Sequence, residues 1–302
     1  MIKKLVKKLI KNFQDEKKRM IGLSHLLNIR NKYINITSLN DVDYKIFSQN
    51  GEDGIIDYIL YSLQIKKPKF IEIGVGDYTE SNTRFIFETR SLKGMVIDCI
   101  SNLKKQINQG IKTWKGELTI EEVFISSKNI LDILESQNFG KVDIFSIDID
   151  GTDYWILNKL ERDFSNIVIL EYNSVFGENL EVTVPDIEGF SRNNYHHSNL
   201  CYGMSLKAAI NLMERKNFYF LGTNNLKNNA FFISKKFSKD SYFPNLKIES
   251  IKDATTSFLS ESRDQNGNLN YIKGSGKINQ IKDCDVVDLK NKGHSLKKIK
   301  EL

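Results

Sequence analysis

The sequence is poor in cysteine and has no long apolar run, and each shortage excludes a class of protein. Only three of the 302 residues are cysteines, Cys99, Cys201 and Cys284, and they lie far apart in the chain. No CxxC pair occurs, which excludes a disulfide framework and a zinc–thiolate site. No uninterrupted apolar stretch approaches the roughly 18 residues of a membrane span. The lysine-rich start lacks the apolar core of a secretory signal, so we expect a cytoplasmic protein.

The positive charge does not indicate a nucleic-acid partner. The net charge is +6, but most of the lysine excess lies in the first twenty and last dozen residues. The central region is nearly balanced and has no arginine-rich stripe or nucleic-acid motif. An apolar fraction of 40% and a charged fraction of 27% are ordinary for a soluble globular protein. We therefore expect no nucleic-acid partner.

The pattern divides the chain into three parts. Residues 1–42 begin as a basic amphipathic helix, with apolar side chains on one face and lysines on the other. We expect this extension to pack on the core or on a second subunit of a homo-oligomer, and an anionic membrane surface is the alternative. Residues 43–234 form the main domain. Residues 235–302 are polar and are expected to be a loose tail or a small subdomain.

A glycine turn after an apolar strand is the most informative local feature. Residues 69–77 predict a short strand that leads into Gly74 and Gly76, with Glu72 two places before the first glycine. A second apolar run ends one helix-length later at Asp98. In a Rossmann-like sheet such glycines let the backbone approach a ligand, and the acid accepts hydrogen bonds from ribose hydroxyls. The pattern predicts an adenosine cofactor.

The residues around the turn favour S-adenosylmethionine over a dinucleotide. A dinucleotide fingerprint needs a third glycine, and Thr79 occupies that position. Asp77 and Glu80 would repel a pyrophosphate but suit a cofactor with a sulfonium and an ammonium group. Ser81 and Asn82 are expected at the methionine end of the cofactor, although either could simply cap the next helix.

Strand and helix patterns alternate along the main domain and indicate the fold class. The predicted strands are 70–73, 95–97, 122–126, 143–149, 167–172, 218–222 and 230–233. The predicted helices between them are 81–91, 102–109, 128–136, 154–161 and 205–216. This alternation predicts an α/β fold with a Rossmann-like, seven-stranded, mostly parallel sheet. The short gap before the last strand predicts that this strand is antiparallel.

Three carboxylates are expected to meet at the carboxyl edge of this sheet, where ligands bind in open α/β folds. Asp148 and Asp150 lie at the end of the fourth strand, where strand alternation would point both side chains to one side, and Glu171 lies near the end of the fifth. One of them could be the general base for an acceptor hydroxyl, or all three could hold a divalent metal such as Mg²⁺ or Mn²⁺. In a third interpretation they only position the cofactor and cap a helix.

Two further candidates lie outside the strand ends. His197, next to His196, has a side chain that titrates near neutral pH and is a candidate catalytic base, although adjacent loop histidines are more often surface residues. Gln49 precedes the first strand and is expected to reach the cofactor.

With these residues in place, the chain resembles the bacterial FkbM-like class I methyltransferases, often associated with surface-polysaccharide biosynthesis. The resemblance covers about 47–233 and rests on segments 47–54, 72–77, 80–83, 148–154, 171–173, 202–206 and 229–232, with 261–264 extending it. It implies S-adenosylmethionine as cofactor and a hydroxyl, commonly on a sugar, as acceptor. Related metal-dependent sugar methyltransferases have an adjacent acidic pair after the fifth strand, where this chain has Tyr172-Asn173.

The sequence therefore predicts an O-methyltransferase that acts on a sugar or nucleotide-linked sugar of a capsule or lipopolysaccharide. Two alternatives stay open. A nicotinamide-dependent sugar oxidoreductase would share the sheet and the ribose acid, and a non-catalytic assembly module would share the fold alone.

Overall fold

A computed structural model describes residues 16, 19–20, 22–23, 33–90, 93–111, 116–256, 261–290 and 294–302. The predicted N-terminal helix lies mostly outside these residues. Among the few of its residues that are described, Arg19 lies with its guanidinium 4.9 Å from the centre of the Phe47 ring. No helix among the described residues is long and apolar enough to cross a bilayer.

The main domain is built on a seven-stranded sheet. Its strands are β1 (Phe70–Ile73), β2 (Lys93–Asp98), β3 (Glu117–Glu122), β4 (Val142–Ile147), β5 (Ser165–Glu171), β7 (Phe218–Thr223) and β8 (Asn229–Ser234), with β6 (Val182–Thr183) outside it. The strand order is β3-β2-β1-β4-β5-β8-β7. β1 to β5 pair in parallel, whereas β8 is antiparallel to both of its neighbours. The predicted fold class is confirmed.

Helices cover both faces of the sheet. They are α1 (Glu52–Ser62), α2 (Arg84–Arg90), α3 (Leu103–Gly110), α4 (Ile130–Ser136), α5 (Asp153–Lys159), α6 (Arg192–Tyr195) and α7 (Leu206–Arg215). Two apolar clusters result, one with Phe70 and Ile144 and the other with Phe145 and Ile147. Because both faces are covered, the central strands read as continuous apolar runs rather than alternating patterns.

The third strand lies earlier than predicted. It spans Glu117–Glu122 instead of 122–126, and none of its residues is fully buried. As the edge strand beside β2, it has one free edge and polar side chains. The prediction placed the strand too late because the apolar run of residues 123–125 follows β3.

The C-terminal part packs against the main domain through a second sheet. After α8 (Lys239–Tyr242), α9 (Ile251–Ala254) and α10 (Ser275–Gln280), the chain forms β9 (Asp285–Asp288) and β10 (Ser295–Lys298), which ends in a 3₁₀ turn. β9 lies between β10 and β6, so a strand of the main domain completes this sheet. The division at residue 234 stays a prediction.

Candidate active site

A cleft of about 580 Å³ lies at the carboxyl ends of β1, β2, β4 and β5. Residues that follow each of these strands line it, as do parts of 198–202 and three residues of the C-terminal segment. Because the order reverses between β1 and β4, this edge holds the switch point at which doubly wound sheets bind ligands.

The glycine turn forms one wall of the cleft. Gly74 has φ +83°, donates a 2.9 Å hydrogen bond to the carbonyl of Ile97, and approaches Asp148 so closely that a Cβ would lie 1.6 Å from its carbonyl oxygen. Gly76 has φ +55°, and a Cβ there would meet no atom within 4 Å. The first glycine is thus required by close packing, whereas the second leaves open space beside the backbone.

Asp98 is fixed at the end of β2 by two backbone donors. Its Oδ2 accepts a 2.8 Å hydrogen bond from the amide of Gly76, and its Oδ1 accepts a 3.1 Å bond from that of Ile100. The side chain lines the cleft. Since each carboxylate oxygen has two lone pairs, both can still accept a hydrogen bond from a ribose hydroxyl.

Glu72 is buried behind the turn and does not line the cleft. Its carboxylate accepts hydrogen bonds from the hydroxyl of Ser81 (2.6 Å), the amide of Asn82 (2.8 Å) and both the amide (3.1 Å) and the hydroxyl of Thr83. Burial raises the pKa of Glu72, and these donors oppose that rise. Glu72, Ser81 and Asn82 thus hold the backbone that follows the turn, and their contact with a cofactor stays a prediction.

Gln49 lies at the mouth of the cleft on an anchored loop. The amides of residues 46, 47 and 48 all donate to Oδ2 of Asp53, at 2.7, 2.7 and 2.9 Å. The carbonyl of Gln49 accepts a 2.7 Å bond from Lys45 Nζ. These contacts leave the Gln49 side chain exposed at the cleft, where it can contact a ligand.

The three predicted carboxylates meet in the same cleft. One oxygen each of Asp148, Asp150 and Glu171 lies within 4.8 Å of the others. The neighbouring parallel strands β4 and β5 bring Asp148 and Glu171 together. β4 ends before Asp148, and Asp150 has a left-handed φ of +54°. A turn, rather than strand alternation, therefore directs Asp148 and Asp150 to one side.

Burial and mutual repulsion keep part of this cluster protonated. Removal from water, followed by the charges of Asp150 and Asp153, raises the pKa of Asp148 to about 8. Burial and then the charge of Asp148 raise the pKa of Glu171 well above its usual value. The two side chains are hydrogen-bonded to each other. Such a pair shares protons and loses them in coupled steps.

Asp150 is instead paired with a cation. Its carboxylate forms an ion pair with the guanidinium of Arg192, the first residue of α6. The same guanidinium lies 4.9 Å from the centre of the Tyr202 ring, which also lines the cleft. Arg192 and Tyr202 therefore set the geometry of the cluster, although they lie 42 and 52 residues beyond Asp150.

The N-cap residue of α5 is Thr152, so Asp150 does not cap this helix, and Asp153 instead closes the loop before it. Its carboxylate accepts from the amides of Ile149 (3.0 Å) and Gly151 (3.1 Å) and so closes the loop before α5. Burial raises the pKa of Asp153 to about 6. Asp150 is thereby left to face the cleft.

His197 stacks on a neighbour instead of lining the cleft. The rings of His196 and His197 lie 4.1 Å apart, and Nδ1 of His196 is 2.7 Å from the hydroxyl of Ser198. Ser198 lines the cleft, but neither histidine does. A catalytic role for His197 stays a prediction.

Several lining residues were not singled out from the sequence. They are Arg192 and Tyr202 beside the acids, Asn173 after β5, and Glu261, Arg263 and Lys277 from the C-terminal segment. Four of them, Tyr202, Asn173, Glu261 and Arg263, lie in segments that carry the family resemblance. That resemblance could have identified them as candidates. Nothing in the spacing indicated that the C-terminal segment returns to the cleft.

The family model described as the methyltransferase FkbM domain matches residues 57–197, somewhat less than half of the chain. No curated protein matches the sequence.

Three solved structures resemble the chain at low identity. PKMT2 from Rickettsia typhi in complex with AdoHcy has 11% identity and a TM-score of 0.42, covering 64% of this chain and 55% of its own. A putative sarcosine dimethylglycine methyltransferase from Galdieria sulphuraria has 8% identity and a TM-score of 0.33, covering 66% and 75%. The complex between the Haloferax volcanii Trm112 methyltransferase activator and the putative methyltransferase has 9% identity and a TM-score of 0.32. It covers 57% of this chain and 78% of its own.

The chain spans only about half of the Rickettsia protein's length. Residues 57–197, which include β1 to β5 and most of the cleft lining, are similar to the methyltransferase FkbM domain.

Proposed function

We propose that the protein is an O-methyltransferase whose acceptor is a sugar or nucleotide-linked sugar of a capsule or lipopolysaccharide. One observation carries the hydroxyl acceptor: the Asp148–Glu171 pair lies in the same cleft as Gly76 and Asp98. A hydroxyl is a weak nucleophile and needs a base, which a carboxylate with a raised pKa supplies. The resemblance to polysaccharide-associated methyltransferases supports the sugar.

In this proposal different residues of the cleft bind the cofactor and the acceptor. The glycine turn and Asp98 hold the adenosine part of the cofactor, with Gln49 at the mouth. The acceptor binds between the turn and the acids. Its hydroxyl oxygen attacks the methyl carbon, the carbon–sulfur bond breaks with its electrons on sulfur, and the hydroxyl proton passes to Asp148. Positioning of the two reactants supplies a large part of the acceleration.

Glu171 and Arg192 prepare Asp148 for this step. Glu171 shares a hydrogen bond with Asp148, and Arg192 balances the charge of Asp150. Asp148 therefore has one acidic neighbour that is paired with a cation and one whose pKa is raised, in addition to the buried carboxyl of Asp153. Deprotonated Asp148 is then a stronger base than an exposed aspartate.

A divalent cation at the same carboxylates is the second candidate. Three carboxylate oxygens within 4.8 Å are suitable ligands for Mg²⁺ or Mn²⁺. A cation there would compete with Arg192 for Asp150 and displace the proton shared by Asp148 and Glu171. We favour the base because these contacts already satisfy the three acids.

The test is transfer of a labelled methyl group from S-adenosylmethionine to a panel of nucleotide-linked and free sugars, with and without EDTA. We expect label on a sugar hydroxyl, with a rate that EDTA does not change. Label on a nitrogen or a carboxylate would contradict the proposal. Loss of activity in EDTA, restored by Mg²⁺ or Mn²⁺, would replace the base with the metal.

A further inference from the structure

The C-terminal segment supplies a wall of the cleft that the proposed chemistry does not use. Arg263 and Lys277 both line the cleft. The amide of Arg263 donates a 3.3 Å hydrogen bond to the carbonyl of Ser198, and its own carbonyl accepts a 3.3 Å bond from Nε2 of Gln280. The segment is therefore attached to the loop that also carries Tyr202. We call Arg263 and Lys277 the cationic wall.

The charges of the cleft are unevenly distributed. On the acid side, Asp150 is paired with Arg192, and burial raises the pKa values of both Asp148 and Glu171. The ion pair and the raised pKa values both reduce the negative charge on this side of the cleft. The remaining acids that line the cleft are Asp98 and Glu261. Asp98 accepts hydrogen bonds from two backbone amides.

Arg263 keeps donors that point to a ligand role. Its Nη1 donates to the carbonyl of Gly267 at 2.9 Å, and its Nη2 lies 3.5 Å from Oε1 of Glu261. Glu261 is 63% exposed and Arg263 38%, so this ion pair is screened by water and weak. A guanidinium has five N–H donors, and these contacts use two of them. The others can form a bidentate contact with a phosphate or carboxylate.

Lys277 is buried to an unusual degree for a lysine that lines a cleft. It is only 7% exposed, and desolvation lowers its pKa. Lysines are rarely buried this far, because the ammonium group loses hydration. Lys277 would add to the attraction of Arg263 for an anion in the cleft, because charges interact more strongly where water is largely excluded.

We propose that the cationic wall binds an anionic group of the acceptor, either the diphosphate of a nucleotide-linked sugar or the carboxylate of an acidic sugar. This inference rests on the proposed function. The wall would hold the anionic group while the hydroxyl faces Asp148. It would thereby select acidic acceptors over neutral sugars.

The cofactor is the competing occupant, because S-adenosylmethionine also carries a carboxylate. The cofactor wall comes from the ends of β1 and β2, whereas the cationic wall comes from the C-terminal segment. An acceptor role leaves the affinity for S-adenosylhomocysteine unchanged when the wall is altered. A cofactor role lowers that affinity.

The experiment is calorimetric titration of the full chain, saturated with S-adenosylhomocysteine, with uridine diphosphate, inorganic pyrophosphate or glucuronate. Arg263→Gln and Lys277→Gln remove the two charges. Lys273→Gln removes an exposed lysine of the same segment that does not line the cleft and is the matched control. Arg263→Lys keeps the charge without the fork geometry, and the wild-type titration is repeated at higher salt.

We expect at least one anion to bind the wild type and to bind each charge-removing variant tenfold or more weakly. The control should stay within twofold, and salt should weaken binding to the wild type. Phosphate probes and glucuronate distinguish the two sources of the anion. If Lys277→Gln fails to fold, Arg263→Gln and the salt series decide.

Three results would overturn the inference: no anion binds the saturated wild type, the variants bind anions as tightly as the wild type, or the variants lose S-adenosylhomocysteine instead. A wild type that does not bind S-adenosylhomocysteine counts against the proposed function itself. Binding of S-adenosylhomocysteine without any anion counts against the cationic wall alone.

Discussion

The two glycines of the turn differ in what a side chain would meet. Alanine at Gly74 would place its Cβ 1.6 Å from the carbonyl oxygen of Asp148 in a left-handed conformation. The end of β4 must then move, and the acid cluster moves with it. We expect Gly74→Ala to lower the thermal unfolding midpoint and weaken S-adenosylhomocysteine binding tenfold or more, measured by calorimetry.

Gly76→Ala is the control for the loss of stability. Its backbone is also left-handed, but the added Cβ would meet no atom within 4 Å. Only the conformational cost of about 1–2 kcal/mol applies. A Gly74→Ala protein as stable as Gly76→Ala would show that the close approach to Asp148 is not required.

Replacing Asp148 should lower turnover without weakening cofactor binding. Asp148→Asn keeps the shape of the side chain and removes the base. We expect turnover to fall by about 10²–10⁴, with S-adenosylhomocysteine affinity within twofold. Asp132→Asn, an exposed position on α4, is the matched control. Unchanged turnover in Asp148→Asn would mean that another residue is the general base, and His197 would be the next candidate.

Asp150→Asn should have a smaller effect than Asp148→Asn. It releases Arg192 and leaves the Asp148–Glu171 pair in place. We expect lowered turnover and nearly intact cofactor binding in the same two assays. A loss of cofactor binding would mean that Asp150 contacts the cofactor and not the acceptor side.

The rate should also depend on pH through the same carboxyl. Because the pKa of Asp148 is raised to about 8 by burial and its acidic neighbours, the base form is a minority at pH 7. Turnover should therefore rise with pH and level off above about pH 8, provided that chemistry limits the rate. In Asp148→Asn this rise should vanish. A wild-type profile that is flat from pH 6 to 9 would contradict the assignment.

Among the structural elements, β9 determines whether the C-terminal segment stays on the domain. Val286 is fully buried in β9, between β6 and β10. Val286→Asp would bury an unpaired carboxylate at a cost on the order of 3 kcal/mol or more. We expect limited proteolysis to release the segment, with S-adenosylhomocysteine affinity within a few-fold. Leu296→Gln, on the facing strand, changes a side chain that is 60% exposed and should resist cleavage.

The sequence predicted those elements that have a strong apolar pattern. β1, β4 and β5 are buried between two helical layers, and their apolar runs located them to within two residues. β3 is a polar edge strand and was placed too late. β6 and β9 are short, and their pairing joins residues about a hundred positions apart. No local periodicity reports such a pairing.

The site was predictable to the same extent. Parallel strands end at one edge, so Gly76, Asp98, Asp148 and Glu171 could be brought together from the strand pattern alone. The pairing of Asp150 with Arg192 depends on how the loop after β6 folds back. The return of Arg263 to the cleft depends on the second sheet. Neither contact can be predicted without knowing the path of the chain in three dimensions.

For the whole molecule, the Asp148–Glu171 pair links stability to pH. An unfolded aspartate releases its proton near pH 4, whereas folded Asp148 keeps it up to about pH 8. Between these values the folded state binds more protons, so this contribution to stability is complete at low pH and is lost as pH rises towards 8. We expect the unfolding midpoint to fall by several degrees from pH 5 to pH 8, since 1 kcal/mol corresponds to about 2–4 °C in sizeable domains.

Asp148→Asn should flatten this dependence and be the more stable protein at pH 8, where the buried charge is absent. Asp132→Asn should follow the wild type. A midpoint that rises from pH 5 to pH 8 in the wild type but not in Asp148→Asn would mean that the carboxylate is stabilised when charged.

The proposed chemistry depends on binding of S-adenosylmethionine by the glycine turn and Asp98. The most direct measurement is calorimetric titration of the wild type and of Asp98→Ala with S-adenosylhomocysteine, with NADH as a control. We predict micromolar binding of S-adenosylhomocysteine to the wild type, tenfold or weaker binding to Asp98→Ala, and no binding of NADH. Equal affinity in the two proteins would contradict the ribose assignment, and no binding to the wild type would contradict the cofactor site itself.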